Sequence, residues 1–291
     1  MTRIHKDEPL WRKTTFRIGG PAKRLAEPET VEDVCALARG GEIAFVLGGG
    51  SNLLVSDAGV DGTTLFLGPE FAGVETEPAG EGIVRVRAGA SARLTKLAGE
   101  MMRMGLSGLE FGFGIPGTLG GALMMNAGTR DGEMKDVAET ITCVTADGKA
   151  LTIPASEAGF GYRTSGFAPG CVIVGASLLL KAGETGAIRA AMRKGYMARK
   201  ASQPLEWPSA GSVFKNPPGD FAGRLIETCG LKGAREGDAM VSAKHANFIV
   251  NTGTARAADV WRLIKRIKAA VLERAGTELD LEIKPVGTFD E

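Results

Sequence analysis

Short apolar, β-rich runs separated by turns fill the first two thirds of the chain and restrict the folds that it can adopt. In the run from residue 83 to residue 88, apolar residues alternate with two arginines, which is the pattern of a half-buried strand. The dipeptide Asp147-Gly148 predicts a hairpin turn between two further runs. Six strands are predicted in this part, at residues 43–47, 63–67, 83–88, 141–145, 150–153 and 172–180.

Two amphipathic segments interrupt these strands and predict helices. Residues 29–39 have Thr30 as the expected N-cap, residues 91–104 have Ser91 in that role, and a glycine follows each segment. The last third is richer in helix, with helices predicted at residues 187–201, 221–228 and 256–275 and strands at residues 246–250 and 279–283. The mixture predicts an α+β fold, because strands and helices do not alternate regularly as in a βαβ protein.

The length of 291 residues is typical of roughly two domains. A polar, glycine-containing stretch at residues 183–186 separates the sheet-rich part from the helix-rich part. We therefore expect one domain over residues 1–185 and a second over residues 186–291.

Charge and cysteine content narrow the function classes. The net charge of +1 gives no sign of a nucleic-acid partner or a membrane surface, and the longest apolar run is too short to span a bilayer. The four cysteines form no Cys-x-x-Cys pair, so neither a zinc motif nor a redox motif is visible. We therefore expect free thiols, no metal site and a cytoplasmic location.

A glycine triplet follows the predicted strand at residues 43–47. Consecutive glycines allow backbone N–H groups to line an anion, and the next two residues add side-chain donors. The triplet matches neither the Gly-x-Gly-x-x-Gly nor the Walker pattern, and glycine triplets are also typical of plain tight turns. The candidate anion-binding residues are Gly48, Gly49, Gly50, Ser51 and Asn52.

A second glycine-rich stretch, residues 112–128, mixes small residues with Ile, Leu and Met. Such a segment can lay its backbone against a flat aromatic ligand while apolar side chains cover the ring, although a buried connection has the same composition. Further along, Arg163 lies beside small hydroxyl residues and could grip a carboxylate through two hydrogen bonds. The same pattern is also typical of an exposed loop arginine.

The segment Ser209-Ala210-Gly211-Ser212-Val213-Phe214-Lys215-Asn216-Pro217 places a hydroxyl, a cation and an amide within five residues. Prolines on both sides argue against a helix, and the residue types suit an anionic substrate, although similar segments are often surface turns. Glu282 alternates with apolar neighbours and could face either a cleft or solvent. His245 has no second histidine near it, so we expect a structural or contact role rather than catalysis.

Taken together, these segments resemble the MurB family of UDP-N-acetylenolpyruvoylglucosamine reductases along nearly the whole chain. The resemblance is carried, in this order, by residues 14–22, 48–52, 115–128, 162–165, 209–217 and 245–251 and by Glu282. The chain is similar to the shorter type of the family, because no tyrosine-bearing insertion is visible and only Tyr162 and Tyr196 are present. The tyrosine contacts that the longer type makes to substrate are therefore not expected here.

The resemblance implies an α+β fold with a two-lobed FAD-binding unit of the vanillyl-alcohol-oxidase/PCMH type, followed by an α+β substrate-binding domain. The lobes are expected over about residues 1–75 and 76–185. The family implies FAD as cofactor, NADPH as co-substrate and a UDP-sugar substrate; we expect a monomer and a non-covalent flavin. The expected cofactor-binding residues are Gly48, Gly49, Gly50, Ser51, Asn52, Ile115, Pro116, Gly117, Thr118, Gly121, Asn126, Ala127 and Gly128.

The resemblance also implies the reaction, in which the enolpyruvyl ether of UDP-N-acetylglucosamine-enolpyruvate is reduced to UDP-N-acetylmuramate for peptidoglycan precursor synthesis. Hydride passes from NADPH through FAD to the terminal carbon of the enol ether. Arg163 would hold the charge that develops on the carboxylate, Glu282 would hydrogen-bond the same group, and Ser212 would protonate the carbanionic carbon. The expected substrate-binding residues are Arg199, Gln203, Lys215 and Asn216, with Lys200 as a further candidate.

Two other functions fit parts of this pattern. A flavin oxidase or dehydrogenase of the same fold, acting on an alcohol or a sugar, would need a general base, and Ser212 is a poor one. A non-catalytic protein that senses flavin or nucleotide would bind the cofactor without turnover. The reductase is the function that we predict.

Overall fold

The structure is a computed structural model, and it describes residues 1–289 of the chain. Strands β1 to β18 span, in order, Arg3–Pro9, Pro21–Glu27, Ile43–Leu47, Leu53–Val55, Val60–Phe66, Val74–Gly80, Ile83–Gly89, Leu106–Ser107, Gly128–Thr129, Gly132–Glu133, Ala138–Val144, Ala150–Pro154, Val172–Ala182, Ser209–Ser212, Arg235–Glu236, Ala239–Val241, Phe248–Asn251 and Lys284–Val286. Helices α1 to α6 span Val31–Arg39, Leu94–Arg103, Leu119–Met124, Thr185–Ser202, Ala222–Thr228 and Ala257–Ala275.

The chain divides into two compact units that do not follow the sequence order. Unit 1 contains Met1–His5, Leu25–Gly49 and Gly62–Ala198. Unit 2 contains Lys6–Arg24, Gly50–Asp61 and the chain from Arg199 onward. The glycine triplet is therefore divided between the units, with Gly48 and Gly49 in unit 1 and Gly50 in unit 2.

Unit 1 is organised around a six-stranded sheet. Its order is β12-β11-β13-β7-β6, with β8 pairing the end of β13. The long strand β13 runs antiparallel to β7 and to β11. Gly148 has φ +76° in the turn between β11 and β12, so the predicted hairpin is confirmed. Buried residues of α2, including Leu94 and Met101, share one core with the sheet.

Helix ends in unit 1 test the predicted caps. The Thr30 hydroxyl accepts a hydrogen bond from the Asp33 N–H at 3.2 Å, which confirms it as the N-cap of α1. The Ser91 prediction is wrong, because α2 begins three residues later, at Leu94. The Ser91 hydroxyl instead donates to the Gly68 carbonyl at 2.6 Å and stabilises a loop.

Unit 2 contains a smaller antiparallel sheet of order β14-β17-β16-β15 and two helices that share its core. The helix predicted over residues 256–275 is confirmed as α6, and Ala257, Val260, Ile264, Ile267 and Val271 on one face of it are all buried. The first N–H groups of α6 donate to the Asp57 carboxylate, from Ala257 at 2.9 Å and from Ala258 at 3.0 Å. This carboxylate therefore caps the longest helix of the unit.

The C-terminal strand lies later in the chain than predicted. Residues 279–283 form a single bridge, between Phe214 and Leu281, and the strand proper is β18, which pairs in parallel with β4. The alternation of buried Leu279 and Ile283 reflects packing against the core of unit 2 rather than a continuous ladder.

Two global expectations can be compared with the described residues. Within residues 1–289 no helix combines the length and the apolar character that a membrane span needs. All four cysteines are free thiols; Cys35, Cys143 and Cys171 are buried and Cys229 is half-buried. Burial raises the pKa of the Cys171 thiol to about 12, so it stays protonated and unreactive at neutral pH.

Candidate active site

The glycine turn after β3 lies directly against the second glycine-rich segment, within unit 1. A Cβ on Gly49 would lie 2.4 Å from the Gly117 Cα, and a Cβ on Gly48 would lie 3.0 Å from the Thr118 hydroxyl oxygen. Two backbones that approach so closely leave no room for a side chain at Gly49. The structure therefore brings together two of the segments that the sequence analysis assigned to the cofactor.

The second segment presents backbone rather than side chains. Gly114 and Gly117 have φ of +81° and +119°, values that an L-residue rarely adopts. Hydrogen bonds fix the loop from behind: the Thr95 hydroxyl donates to the Ile115 carbonyl at 3.0 Å, and the Leu94 N–H donates to the Gly117 carbonyl at 3.2 Å. Buried residues of α3 anchor the segment, while Gly121 in the same helix is exposed.

This arrangement fits a flat cofactor such as a flavin. Gly114 and Gly117 are partly exposed, Gly121 is exposed, and none of them carries a side chain, so a planar ring can approach the peptide groups at these positions closely. Ile115 is half-buried and can cover part of an apolar ring surface. The residues present therefore suit the FAD that the sequence predicted.

Asn126 holds the end of this segment in place. It is fully buried and has φ +42°, a backbone conformation that asparagine tolerates better than most residues. Its amide nitrogen donates to the Glu133 carboxylate at 3.0 Å and to the Gly161 carbonyl at 3.1 Å. Its amide oxygen accepts from the Lys135 N–H at 2.9 Å. The side chain of this predicted cofactor-binding residue is thus used inside unit 1.

The loop that carries Arg163 is bound to the same segment. Besides the Asn126 bond, the Ser165 hydroxyl donates to the Met124 carbonyl at 2.7 Å, and the Arg163 guanidinium donates to the Gly128 carbonyl at 2.9 Å. The guanidinium carbon also lies 5.4 Å from the centre of the Tyr162 ring. Arg163 has φ +54°, so its backbone is held in a strained region. The third predicted motif is therefore fixed beside residues 124–128.

In unit 2, the strand that ends in Ser212 is irregular. β14 pairs with β17 through Ser209–Val250 and Ser212–Phe248, with a shift of register between the two pairs. Gly211 takes up this shift with φ +82°. Ser212 is half-buried, and within the described chain its hydroxyl has no hydrogen-bond partner. The serine side chain is thus held at the end of a strand with its donor available.

Asn247 fixes the main chain directly after Ser212. The Asn247 side chain accepts from the Phe214 N–H at 2.9 Å and donates to the Phe214 carbonyl at 2.8 Å, and its carbonyl accepts from the Val213 N–H at 2.8 Å. In turn, the Asn247 N–H donates to Nδ1 of His245 at 3.2 Å. Burial lowers the pKa of His245, which favours the neutral ring whose Nδ1 lone pair accepts this bond. This agrees with the structural role expected for His245.

Glu282 and Ser212 lie on adjacent segments of unit 2. The Glu282 N–H donates to the carbonyl of Val213, the residue after Ser212, at 2.8 Å. The Asn52 amide donates to the Glu282 carbonyl at 3.0 Å, and the Lys284 N–H donates to the Asn52 carbonyl at 2.9 Å. Three residues that the sequence analysis singled out separately are therefore brought together.

Thr15 connects this cluster to the remainder of the glycine triplet. Its N–H donates to the Gly50 carbonyl at 3.0 Å, and its hydroxyl donates to the Ser209 carbonyl at 2.7 Å. Gly50 has φ +62°, and a Cβ there would lie 2.0 Å from the Lys13 carbonyl oxygen, so only glycine fits. Thr15 had no role predicted from the sequence, although it lies in a segment that carried the family resemblance.

Two lysines lie near each other beside this cluster. The Lys215 N–H donates to the Asp280 carbonyl at 2.8 Å. Although Lys284 keeps exposed surface, burial lowers the pKa of its ammonium group, and the nearby charge of Lys215 lowers it further. Among residues 1–289 neither ammonium has a carboxylate partner. Lys284 was missed by the sequence analysis, although its spacing of two from Glu282 was visible.

The other predicted substrate contacts also lie in unit 2. The Asn216 amide oxygen accepts from the Ala222 N–H at 3.1 Å. The NH₂ group of the Asn216 side chain takes no part in this bond and is directed away from it. The Arg199 guanidinium donates to the Gln203 amide oxygen at 3.2 Å. The Lys200 carbonyl accepts from the Lys244 ammonium at 2.6 Å. Of the predicted catalytic residues, Ser212 and Glu282 are in unit 2 and Arg163 is in unit 1.

Known proteins similar to this chain cover both units. Residues 22–154 match a family model described as an FAD binding domain, and residues 203–286 match one described as the C-terminal domain of UDP-N-acetylenolpyruvoylglucosamine reductase. UDP-N-acetylenolpyruvoylglucosamine reductase 2 of Symbiobacterium thermophilum is 46% identical over 287 residues, which cover 97% of this chain and 92% of that protein. The reductase of Anaeromyxobacter sp. (strain K) is also 46% identical, with 98% of this chain and 86% of that protein covered.

A solved structure gives the same result. The crystal structure of UDP-N-acetylenolpyruvylglucosamine reductase (MurB) from Thermus caldophilus matches with a TM-score of 0.86 and 43% identity, covering 99% of this chain and 100% of that one. An FAD-binding domain followed by a reductase C-terminal domain defines an FAD-dependent oxidoreductase. The same two domains, built from the strands and helices described above, confirm the predicted α+β fold class. The chain belongs to the UDP-N-acetylenolpyruvoylglucosamine reductase family.

Proposed function

We propose that this protein is the FAD-dependent reductase that converts UDP-N-acetylglucosamine-enolpyruvate to UDP-N-acetylmuramate with NADPH, in the synthesis of peptidoglycan precursors. Family membership over nearly the full length supports this activity. The observation that carries the mechanism is the position of the Ser212 hydroxyl, which has no partner in the described chain and lies beside the segment that carries Glu282. The alternative of a flavin oxidase acting on an alcohol or a sugar is not favoured, since the relatives named above are reductases.

The glycine segments are the residues that would hold FAD. The turn formed by Gly48, Gly49, Gly50, Ser51 and Asn52 offers backbone and side-chain donors for a pyrophosphate. The stretch from Ile115 through Thr118 and Gly121 to Asn126, Ala127 and Gly128 offers main chain to a ring edge, with Asn126 as the residue that fixes its end. When bound, FAD supplies hydride exchange between NADPH and the substrate.

The three catalytic residues have separate tasks. Reduction at the terminal carbon leaves negative charge on the carbon next to the substrate carboxylate. Arg163 stabilises the charge that spreads into that carboxylate, and Glu282 shares a proton with the same group and so hydrogen-bonds it. Ser212 gives its hydroxyl proton to the carbanionic carbon and regains a proton from solvent. The Gly211 shift and the Asn247 bonds hold Ser212 in one position for this transfer.

The diphosphate of the substrate is the anion that the lysine pair suits. Lys215 and Lys284 lie close enough to repel each other and have no carboxylate partner within residues 1–289. An anion placed between them would relieve this repulsion. Asn216 adds an amide donor whose direction is fixed by its bond to the Ala222 N–H, and Arg199 and Gln203 are the further candidates.

The organisation of the chain follows the same proposal. Residues 1–185 would hold the flavin and residues 186–291 the UDP-sugar. We place the enzyme in the cytoplasm as a monomer, with the buried free thiols as support for a reducing compartment.

One experiment tests the function directly. The purified protein should show a flavin spectrum, and NADPH should bleach it under anaerobic conditions. Adding the UDP-enolpyruvyl sugar should restore the oxidised spectrum and yield UDP-N-acetylmuramate. Reoxidation by air alone, with no response to the sugar, would instead identify an oxidase, and a bound flavin with no turnover would identify a sensor.

A further inference from the structure

Phe221 is an aromatic side chain that the fold leaves exposed. It retains 66% of its accessible surface, although it directly precedes α5, whose residues Ala222, Leu225 and Ile226 are buried. Exposure of a whole phenylalanine ring is unfavourable, since burying such a side chain contributes roughly 1.5–3 kcal/mol. The ring therefore contributes nothing to the core of unit 2 and is available to a ligand.

Hydrogen bonds fix the main chain at Phe221. The Phe221 N–H donates to the Asp220 carboxylate at 2.6 Å, and the same carboxylate accepts from the Arg224 guanidinium, with Nε at 2.7 Å. Arg224 lowers the pKa of Asp220 to about 2, so the carboxylate stays charged throughout the neutral range. Two prolines, Pro217 and Pro218, restrict the preceding loop. Because the main chain is held, a planar partner that binds the ring costs little backbone freedom.

The main chain of Phe221 lies close to Asn216, one of the residues proposed to bind the anion. The Asn216 amide oxygen accepts from the Ala222 N–H at 3.1 Å, which places the Phe221 Cα no more than about 6 Å from that oxygen. Lys215 directly precedes Asn216. In a nucleoside diphosphate, a ribose separates the phosphates from the base, so the base lies a few ångströms beyond the phosphate contacts. An exposed ring carried on this Cα can reach that distance from the Asn216 amide group.

We propose that Phe221 is the stacking surface for the uracil base of the UDP-sugar, beyond the diphosphate held by Lys215 and Asn216. This inference rests on the function proposed above. A base that stacks on an aromatic side chain gains roughly 1–3 kcal/mol, and the interaction needs no hydrogen-bond readout. The nearby ammonium and amide groups explain why the occupant is a nucleotide rather than an apolar partner.

The test measures UDP binding to the flavin-loaded, full-length protein by isothermal titration calorimetry. Phe221→Ala should raise the Kd for UDP roughly 5- to 150-fold. Phe221→Tyr should restore binding to near the wild-type value, because it keeps the ring. Leu272→Ala is the matched control: Leu272 is also an exposed apolar residue of unit 2, at 53%, and its loss should leave the Kd for UDP unchanged.

Inorganic pyrophosphate is the second probe, because it carries the anion without the base. Phe221→Ala should leave the Kd for pyrophosphate unchanged. An equal rise in the Kd values for UDP and pyrophosphate would overturn the stacking role, because it would show that the substitution displaces the loop that binds the anion. Unchanged UDP binding in Phe221→Ala would also overturn the inference. So would a rise in the KM for NADPH without a rise in the Kd for UDP. If the wild-type protein bound no UDP at all, the proposed function itself would fail.

Discussion

Two regions of this molecule carry the residues that we propose bind ligands, and they use their polar side chains differently. In the segment that we propose holds the flavin (the flavin segment, residues 112–128 with Gly48 and Gly49), the Asn126 side chain makes three hydrogen bonds and the Ser165 hydroxyl donates to the Met124 carbonyl. In the serine loop, residues 209–217 with Glu282 and Lys284, the Ser212 hydroxyl and two lysine ammonium groups have no partner in the described chain.

The difference shows what each region offers a ligand. The flavin segment offers shape, because its glycines allow backbones to approach within distances that exclude a Cβ. The serine loop offers functional groups, because its unpartnered hydroxyl and ammonium groups can pair with the anionic ligand that we propose. Adding atoms should therefore damage the first region, and removing functional groups should damage the second.

The largest effect is expected at Ser212. Ser212→Ala removes the proposed proton donor, and a positioned donor contributes roughly 10²–10⁴ in rate. Stopped-flow spectroscopy should show flavin reduction by NADPH at the wild-type rate and reoxidation by the UDP-enolpyruvyl sugar slowed by roughly that factor. Equal slowing of both half-reactions would contradict the proton-donor role and make the serine loop a structural region.

Glu282 should give the next largest effect, and here two variants separate charge from hydrogen bonding. Glu282→Ala should slow the oxidative half-reaction by roughly 10²-fold, because a preorganised partner of the developing charge is lost. Glu282→Gln should retain much more activity if the residue acts as a hydrogen-bond donor. Equal losses in the two variants, measured as kcat/KM, would show that the carboxyl group acts through its charge.

Gly49 tests the shape argument in the flavin segment. Gly49→Ala places a Cβ 2.4 Å from the Gly117 Cα, and overpacking of this kind costs roughly 1–3 kcal/mol. We expect a lower thermal midpoint and loss of flavin during gel filtration. Gly99→Ala is the matched control within α2 of the same unit: a Cβ there meets no atom within 4 Å, and alanine favours helix, so stability should rise slightly. Equal retention of flavin in both variants would remove the argument from close packing.

The same contrast explains how much the sequence could predict. Strands with a clear apolar pattern, such as β3 and β7, and the amphipathic helices α1 and α6 were found near their true positions. Strand β1 was missed because five of its seven residues are exposed and charged or polar side chains fill most of it. The Ser91 cap failed because its hydroxyl had a competing acceptor, the Gly68 carbonyl, which is distant in sequence.

In the candidate site, the residue types were predictable and their partners were not. The motifs around Gly48, Arg163, Ser212 and Glu282 carry local signals, since glycine spacing and clustered polar residues are visible in one dimension. The roles of Asn247, which holds the chain after Ser212, and of Thr15, which joins Gly50 to Ser209, depend on bonds between residues far apart in sequence. No local pattern encodes such pairs, so only the folded chain reveals them.

Lys284 should show the smallest effect and the one that separates ligand binding from folding. Burial and the charge of Lys215 lower its pKa, so the folded state disfavours the protonated form. The resulting loss of stability is present below the lowered pKa and is relieved as the pH rises through it. Lys284→Met should therefore leave the thermal midpoint of the ligand-free protein at neutral pH unchanged or slightly raised, while weakening UDP binding about fivefold, or roughly 1 kcal/mol, at a partly exposed site.

The pH dependence of UDP binding completes this test. In the wild-type protein, the affinity should fall as the pH rises through the lowered pKa of Lys284, earlier than an ordinary lysine would require. Lys284→Met should lose this part of the decline, whereas Lys265→Met, at an exposed position of α6, should keep it. A weaker UDP affinity together with a lower thermal midpoint in Lys284→Met would show that Lys284 supports the fold. The serine loop would then resemble the flavin segment, because its polar groups would mainly stabilise the fold and would contribute less to ligand binding.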